Sequence, residues 1–291
     1  EEEGVPGCIK KGISEQVANK IYDDMIDFAK YAFNKSHAAA YAVVAYQTAF
    51  LKYYYPVEFM AALMTSVLDN AGKVAEYIMV CREMGIDVLP PDINVGEGKF
   101  AVSDGKIRYG MYAIKSIGRP VVDFIVAERR QNGDYKTIED FLKRVSGKEV
   151  NKRAVENLVK AGAMDGLDGN RHQMITVFPS IMDRISSDKK SSMAGQMTLF
   201  DIASDDIKEE FEIRMPDLEE YDKEEFLALE KEVLGVYISG HPLEKYSELL
   251  KKNVTAGCRD FMLDDETHMA TVADGAMVII GGMITDKTIK Y

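Results

Sequence analysis

Cysteine is scarce in this sequence, and tryptophan is absent. The three cysteines, Cys8, Cys81 and Cys258, lie far apart and form no CxxC pair. This spacing argues against a zinc ribbon and against a disulfide framework, and it predicts reduced thiols in a cytoplasmic protein. No run of about eighteen consecutive apolar residues occurs, so the sequence predicts no membrane-spanning helix.

Familiar catalytic motifs are missing as well. The sequence has no GxxxxGK[ST], HExxH or GxSxG pattern, which argues against a P-loop nucleotidase, a zinc peptidase and a serine hydrolase. Only four histidines are present, and His241 in SGHPLEKY has no cysteine or second histidine near it. We interpret His241 as a turn residue, and we predict no catalytic residue and no metal ligand within this chain.

Charge is unevenly distributed along the chain. The formal net charge is −12, but residues 201–232 hold 14 acidic and 4 basic residues, whereas residues 99–171 hold 15 basic and 10 acidic ones. The overall charge therefore does not exclude binding to nucleic acid, because a local basic segment is what contacts phosphate. Such binding is expected in the middle of the chain.

Hydrophobic periodicity predicts a mainly α-helical protein. Apolar residues recur at helical spacing in the first third, where Ser14 is an N-cap candidate and Gly85 a C-terminal stop. The dipeptide Asp104-Gly105 predicts a β-hairpin over 99–110, and the polar, serine-rich segment 186–206 predicts a mobile connection. The remaining predicted elements are helices at 14–30, 36–54, 57–68, 73–85 and 223–234, a short strand in 86–94, and two strands in 275–291.

Two segments in the basic middle have the pattern of a helix-hairpin-helix motif. In YGMYAIKSIGRPVVDFIVAER (109–129), a turn at 116–118 separates a short helix through Ile114 from a helix beginning at Pro120. NKRAVENLVKAGAMDGLDGNR (151–171) repeats the pattern around the turn 161–163. Such a turn directs free backbone N–H groups at a phosphate, and this contact is independent of base sequence.

Glycine and basic residues surround both turns. One segment of this kind is also typical of an ordinary helical turn with a glycine stop, whereas two in tandem favour a grip on duplex DNA. The predicted DNA-binding residues are Lys115, Gly118, Arg119, Lys152, Arg153, Lys160, Gly162 and Arg171.

The segment GQMTLFD (195–201) lies inside the serine-rich connection. An extended Gln-x-x-Leu-Phe peptide presents two large apolar side chains that fit an apolar groove on another protein. The alternative is that Leu199 and Phe200 fix the connection to its own domain. The predicted binding residues are Gln196, Met197, Thr198, Leu199 and Phe200.

The stretch FNKSHAAAYAVVAYQTAFLKYYYP (33–56) places Asn34, Lys35, Ser36 and His37 at the start of a helix rich in alanine. A helix N-terminus carries unpaired N–H groups and a partial positive charge, which together attract phosphate. These four residues are therefore candidates for binding a nucleotide or a nucleic-acid backbone. An ordinary capped core helix is the alternative.

Taken in order, these stretches resemble one family. FNKSHAAAYAVVAYQTAFLKYYYPVEFMAALMT resembles the fingers signature of the bacterial DNA polymerase III alpha subunits, which are the C-family replicative polymerases. The later segments LPPDIN, IRYGMYAIKSIG, NKRAVENLVKAGAMD, GQMTLF and EKEVLGVYISGHPLEKY follow in the order of that family. The segments FNKSH and SGHPL resemble the form found in the DnaE type of this family more than the form found in the PolC type.

The resemblance implies a piece of a longer nucleotidyltransferase that carries out DNA-templated DNA synthesis with Mg²⁺, held by a palm domain absent from this chain. The implied partners are primer–template DNA, dNTP, the sliding clamp (beta subunit) and other replisome subunits, with no membrane. The resemblance also implies that residues 34–37 face the incoming nucleotide and the template. The implied domains are the end of the fingers (1–95), a tandem helix-hairpin-helix region (96–184), a flexible segment with the clamp-binding motif (185–222), a helical connection (223–275) and the start of an OB-fold (276–291).

The residues alone leave a second function open. A non-enzymatic adaptor that binds DNA and recruits a sliding clamp needs the same basic middle and the same apolar peptide. Acidic residues on strands upstream of Glu1 distinguish the two functions, because a polymerase requires them and an adaptor does not.

Overall fold

A computed structural model describes residues 7–30, 35–146, 150–193, 215–264, 269–284 and 287–289. The chain divides into two compact units, Glu1–Phe59 and Met60–Tyr291. This division falls within a helix, and the five domains expected from the sequence, with their four boundaries, stay predictions.

The first unit is helical where it is described. A 3-10 turn at Ile9–Lys11 precedes α1 (Glu15–Lys30) and α2 (Lys35–Tyr54). Ser14 caps α1, because its Oγ accepts a hydrogen bond from the N–H of Val17 at 3.4 Å. The predicted helices at 14–30 and 36–54 are confirmed.

Two further helices lead into the second unit. The first, α3 (Pro56–Ser66), starts at the proline that ends α2, and the second is α4 (Ala71–Glu83). Asn70 caps α4 by accepting from the N–H of Lys73 at 3.0 Å. Gly85, with φ +72°, turns the chain away after the helix, as predicted.

A small sheet follows, formed by β1 (Val88–Leu89), β2 (Ala101–Ser103) and β3 (Lys106–Arg108) in the order β1-β3-β2. The central strand β3 is antiparallel to β2 and parallel to β1. Asp104 (φ +51°) and Gly105 (φ +74°) both adopt the left-handed conformation of a two-residue hairpin turn. The predicted hairpin is confirmed.

The core of the second unit lies among α5 (Arg119–Asn132), α6 (Ile138–Val145), α7 (Lys152–Lys160) and α8 (Arg171–Met193). Both α6 and α7 pack against α8, and α5 packs against α6. Burial of these apolar faces is the main stabilising contribution. The fully buried side chains at their contacts are Val122, Phe141, Val155, Leu158 and Met174.

After the part of the chain that is not described, α9 (Lys223–Leu234) packs against α7. Asp222 caps it through a hydrogen bond from the N–H of Glu225 at 2.9 Å, and Gly235 (φ +79°) ends it. A 3-10 turn (Glu244–Tyr246) and α10 (Ser247–Asn253) follow. The predicted helix at 223–234 is confirmed.

Three features differ from the expectations. A short helix through Ile114 was expected before the turn at 116–118, but only a three-residue 3-10 turn, Met111–Ala113, lies there. The N–H groups of this turn bond to the carbonyls of Glu97 and Gly98 instead of continuing a helix. The helix α8 runs to Met193, into the segment 186–206 that was expected to be a mobile connection, since no glycine or proline interrupts the sequence between Pro179 and Gly195.

The third difference concerns the C-terminal part. Residues 276–284 and 287–289 are assigned neither helix nor strand, because a strand requires a paired neighbour. Ile279 bonds to Thr255 and Ala256 through its backbone, and the predicted opening of an OB-fold stays a prediction. Among the described residues, no helix combines the length and the apolar composition that a bilayer span requires.

Candidate nucleic-acid interface

The first hairpin turn, Lys115–Gly118, joins the 3-10 turn to α5. Ser116 has a φ of +61°, an unusual value for a residue other than glycine. Ile114 and Ile117 are buried beneath the turn, whereas Lys115, Ser116 and Gly118 are exposed. Among the described residues, no acceptor faces the N–H groups of Gly118 and Arg119. The turn therefore presents two backbone donors at the start of a helix.

Two side chains of α7 hold this turn. The amide of Asn157 donates from Nδ2 to the carbonyl of Lys115 at 2.8 Å, and Arg153 donates from Nη2 to Oγ of Ser116 at 3.1 Å. Asn157 is only 8% exposed, although it lies in the middle of a helix. The two hairpins are thus joined by hydrogen bonds from the second to the first.

The end of α9 supports the other side of the same turn. The N–H of Lys115 donates to the carbonyl of Val233 at 2.9 Å, and its Nζ donates to the carbonyl of Glu232 at 3.0 Å. Tyr109 donates to the carbonyl of Leu234 at 3.2 Å, and burial raises the pKa of this phenol. These bonds satisfy the last carbonyl groups of α9.

Basic side chains surround the first turn at the surface. Arg119 pairs with Asp69 at 3.3 Å and lies over the ring of Tyr112, and Lys152 pairs with Asp183 at 2.6 Å. The two cations are 58% and 48% exposed in these pairs. Exposed ion pairs contribute about 0–1 kcal/mol, so a phosphate is able to replace either carboxylate.

The second turn has a different character, because its own N–H groups are occupied. The N–H of Gly162 donates to the carbonyl of Val159, and that of Ala163 donates to the carbonyl of Leu158, both at 2.9 Å. Gly162 has a φ of +80° and is buried, and the carbonyl of Ala163 accepts from the N–H of Ile93. The N–H of Gly162 is thus occupied within the chain, which argues against the predicted phosphate contact at this residue.

Arg171 lies in the interior, where its side chain is 1% exposed. Its guanidinium donates twice to Asp165, at 2.8 and 2.7 Å, and once to Glu230 at 3.3 Å, and it stacks on the ring of Phe226. Burial acts to lower the pKa of Arg171, but the two carboxylates outweigh it and raise that pKa. This side chain links the start of α8 to Glu230 and Phe226 of α9, and its burial argues against the predicted DNA contact of Arg171.

An acidic residue closes the N-terminus of α8, the position at which a phosphate was expected. Glu220 accepts from the N–H of Arg171 at 2.9 Å and from the N–H of His172 at 3.3 Å. Asn170 accepts from the N–H of Gln173 at 2.8 Å. The first donors of this helix are satisfied within the chain, so the second hairpin offers no site of the kind present at the first.

Lys160 also takes part in internal pairing. Its ammonium lies 2.9 Å from Glu156 and 3.0 Å from Glu232, and the side chain is 14% exposed. Burial acts to lower the pKa of Lys160, but the hydrogen bonds to both carboxylates raise it on balance. The predicted role of Lys160 in holding DNA has no support from this geometry.

The residues at the start of α2 are described in part. Lys35, Ser36 and His37 form its first turn and are exposed, with the ring of His37 at 4.4 Å from that of Tyr41. Asn34 lies outside the described residues, as do Gln196, Met197, Thr198, Leu199 and Phe200 of the apolar peptide. Nucleotide binding at residues 34–37 and clamp binding at residues 196–200 stay predictions.

Metal binding was not expected from this chain. Within the described part, no three His, Cys, Asp or Glu side chains group in a way that holds a metal ion.

The geometry of these turns and a match to a protein-family model identify the class of protein. A family model described as the helix-hairpin-helix motif matches residues 85–174, which include both turns. The first turn has the exposed donors of such a motif, and the second has the fold without the free donors.

Individual relatives then define the family. The chain is 42% identical over 246 residues to DNA polymerase III subunit alpha of Borreliella burgdorferi, which covers 84% of this chain and 21% of the relative. The corresponding protein of Deinococcus radiodurans is 41% identical over 285 residues (96% and 21%), and that of Vibrio cholerae is 39% identical over 282 residues (97% and 24%). The chain belongs to the DNA polymerase III alpha-subunit family, and it spans between a fifth and a quarter of the length of these relatives.

Sequence reasoning missed Asn157, Glu220 and Glu230. Two of them left a signal: Asn157 is a poor helix former in the middle of a helix, and Glu230 falls on the apolar face of α9, between Leu227 and Leu234. Glu220 left none, because its partners at the N-terminus of α8 are about fifty residues away in sequence.

Proposed function

We propose that this chain is part of a DNA-directed DNA polymerase that acts in the bacterial cytoplasm. Its similarity to DNA polymerase III alpha subunits over nearly its whole length is the observation that carries the proposal. The catalytic residues and the ligands of the Mg²⁺ ion belong to other parts of the parent. This chain contributes binding of primer–template DNA, and its partners are those of a replicative polymerase.

Binding to duplex DNA is assigned to the first hairpin. The N–H groups of Gly118 and Arg119 face a phosphate at the start of α5, where the helix dipole is positive. Lys115, Arg119, Lys152 and Arg153 are exposed and supply charge that is independent of base sequence. The second hairpin supports this surface and does not contact DNA.

The dependence of affinity on salt tests this assignment. Duplex DNA is titrated into the chain and into a variant in which Lys115, Arg119, Lys152 and Arg153 are replaced by Gln. Loss of each phosphate contact flattens the plot of log affinity against log salt concentration by about 0.9. A matched variant with Gln at four other exposed lysines, Lys136, Lys143, Lys251 and Lys252, is expected to keep the original slope. Equal slopes in the two variants contradict the assignment.

Clamp binding is assigned to the peptide Gln196–Phe200, on the basis of its sequence. Replacing Gln196, Leu199 and Phe200 by Ala removes two apolar anchors, each of about 1.5–3 kcal/mol when buried, and is expected to weaken clamp affinity at least about tenfold. Glu248→Ala, an exposed position outside the peptide, is the control. Unchanged clamp affinity of the triple variant in a titration refutes this role. The proposed binding of duplex DNA at the first hairpin does not depend on this result.

A further inference from the structure

The first hairpin turn adopts a conformation that its own residues do not favour. Ser116 has a left-handed φ of +61°, which costs free energy for every residue with a side chain and costs glycine almost none. Within the turn itself, the N–H of Ile117 bonds to the carbonyl of Ile114 at 3.4 Å, a long hydrogen bond. Contacts from outside the turn must therefore fix its shape.

Asn157 makes the best placed of these contacts. Its Nδ2 is 2.8 Å from the carbonyl of Lys115, the residue directly before Ser116, and no backbone N–H among the described residues donates to that carbonyl. Asparagine is unfavourable in the middle of a helix, and burial of an amide is costly unless it is hydrogen-bonded. The position of Asn157 in α7 is thus explained by the bond that it makes to the first hairpin.

Arg153 acts on the next residue of the same turn. Its Nη2 is 3.1 Å from Oγ of Ser116, one helical turn away from Asn157 on α7. Residues four apart lie on the same face of a helix, so α7 presents both donors to the turn together. Successive residues of the turn, Lys115 and Ser116, are held by side chains of the second hairpin.

We propose that the second hairpin is a positioning element for the first, with Asn157 as the positioning residue and Arg153 as its partner. This inference rests on the proposed binding of duplex DNA at the first turn. Asn157 keeps Ser116 in the left-handed conformation, and this conformation directs the N–H groups of Gly118 and Arg119 outward. A loss of Asn157 therefore lowers the fraction of molecules whose turn is ready to bind, without removing a phosphate contact.

This mechanism predicts a specific rescue. Replacing Ser116 by Gly removes the cost of the left-handed conformation, so the turn no longer depends on Asn157. A residue with a merely structural role in α7 gains nothing from a glycine at position 116. The interaction between the two substitutions thus separates positioning from general stability.

The experiment measures binding of a 20-base-pair duplex to the 291-residue chain and to four variants. Asn157→Leu removes the amide, keeps the branched shape of the side chain and raises the helix propensity of the position, whereas Asn157→Ala truncates the side chain. The third variant is Ser116→Gly, and the fourth combines Ser116→Gly with Asn157→Leu. Circular dichroism and thermal unfolding report whether each variant is folded.

The expected result is a loss of affinity of about three- to tenfold for Asn157→Leu, with the salt slope of the unchanged chain. In the Ser116→Gly background, the same substitution is expected to change affinity less than about twofold. Unchanged affinity of both Asn157 variants overturns the inference, and so does an equal loss with and without Gly at 116. Failure of the proposed function itself is separate: the quadruple glutamine variant then binds DNA with the slope of the unchanged chain.

Discussion

Replacing Glu230 by Ala is the most informative perturbation of the packing beneath the interface. Glu230 is completely buried, and its carboxylate accepts from the N–H groups of Ile238 and Ser239 at 3.0 Å each. It also accepts from the Ser239 hydroxyl and, at 3.3 Å, from Arg171. The substitution leaves two backbone donors and one edge of a buried guanidinium without an acceptor.

The magnitude follows from this count of lost partners. Removing one member of a buried ion pair costs about 3–5 kcal/mol, because the other charge stays buried without full compensation. For a unit of about 230 residues, each kcal/mol lowers Tm by about 2–4 °C, so we expect a decrease of about 6–20 °C. Arg171 retains its two bonds to Asp165, which favours the lower part of this range.

Differential scanning calorimetry measures the effect, with Glu248→Ala as the matched control. Glu248 is 88% exposed in its pair with Lys251, so its loss is expected to change stability by less than about 0.5 kcal/mol. A double substitution, Arg171→Met with Glu230→Leu, is expected to recover part of the loss, since it removes both buried charges but leaves the N–H groups of Ile238 and Ser239 without an acceptor. Equal Tm values for the Glu230 and Glu248 variants refute the reasoning.

Three further predictions concern separate sites. Burial raises the pKa of Cys81 to about 11, so a thiol reagent at pH 8 is expected to modify the exposed Cys8 and Cys258 and to reach Cys81 only after unfolding; rapid modification of all three contradicts its burial. Gly110→Ala is expected to lower Tm by several degrees, because a Cβ there lies about 2.7 Å from the backbone at residues 99–100, and an unchanged Tm rejects this close packing. In a polymerase that contains this chain, Lys35→Ala is expected to raise the KM for dNTP about 5- to 150-fold, the equivalent of about 1–3 kcal/mol of lost binding. A fall in primer–template affinity with an unchanged KM shows instead that Lys35 contacts DNA.

Local elements were predictable because their signals are local. Ser14 caps α1, Asp104-Gly105 forms the β-hairpin turn, and Gly85 ends α4, each through the conformation or the bonds of residues only a few positions away. The mainly helical fold and the helix-hairpin-helix region follow from such signals. The last residues of α8 are polar and include no glycine or proline, so no local signal marked where this helix ends. Its length was therefore underestimated.

The geometric difference between the two hairpins was not predictable in this way. Gly162 and Arg171 have the residue types of a phosphate site, but the N–H of Gly162 bonds to the carbonyl of Val159. The donors of Arg171 are occupied by Glu220 and Glu230, from about fifty to sixty residues further along the chain. The number of basic residues in the sequence therefore overestimated the extent of the basic surface. The acidic segment that lowers the net charge of the chain supplies the carboxylates that neutralise the second hairpin.

Hydrogen exchange with and without duplex DNA tests directly whether DNA contacts the first turn and not the second. Mass spectrometry follows the backbone amides of residues 115–122 and of residues 160–172 at saturating DNA and low salt. We expect slower exchange in the first segment when DNA is bound, because its N–H groups contact phosphate, and unchanged exchange in the second, whose donors are already occupied. Protection of residues 160–172, or exchange in residues 115–122 that is unaffected by bound DNA, contradicts this expectation.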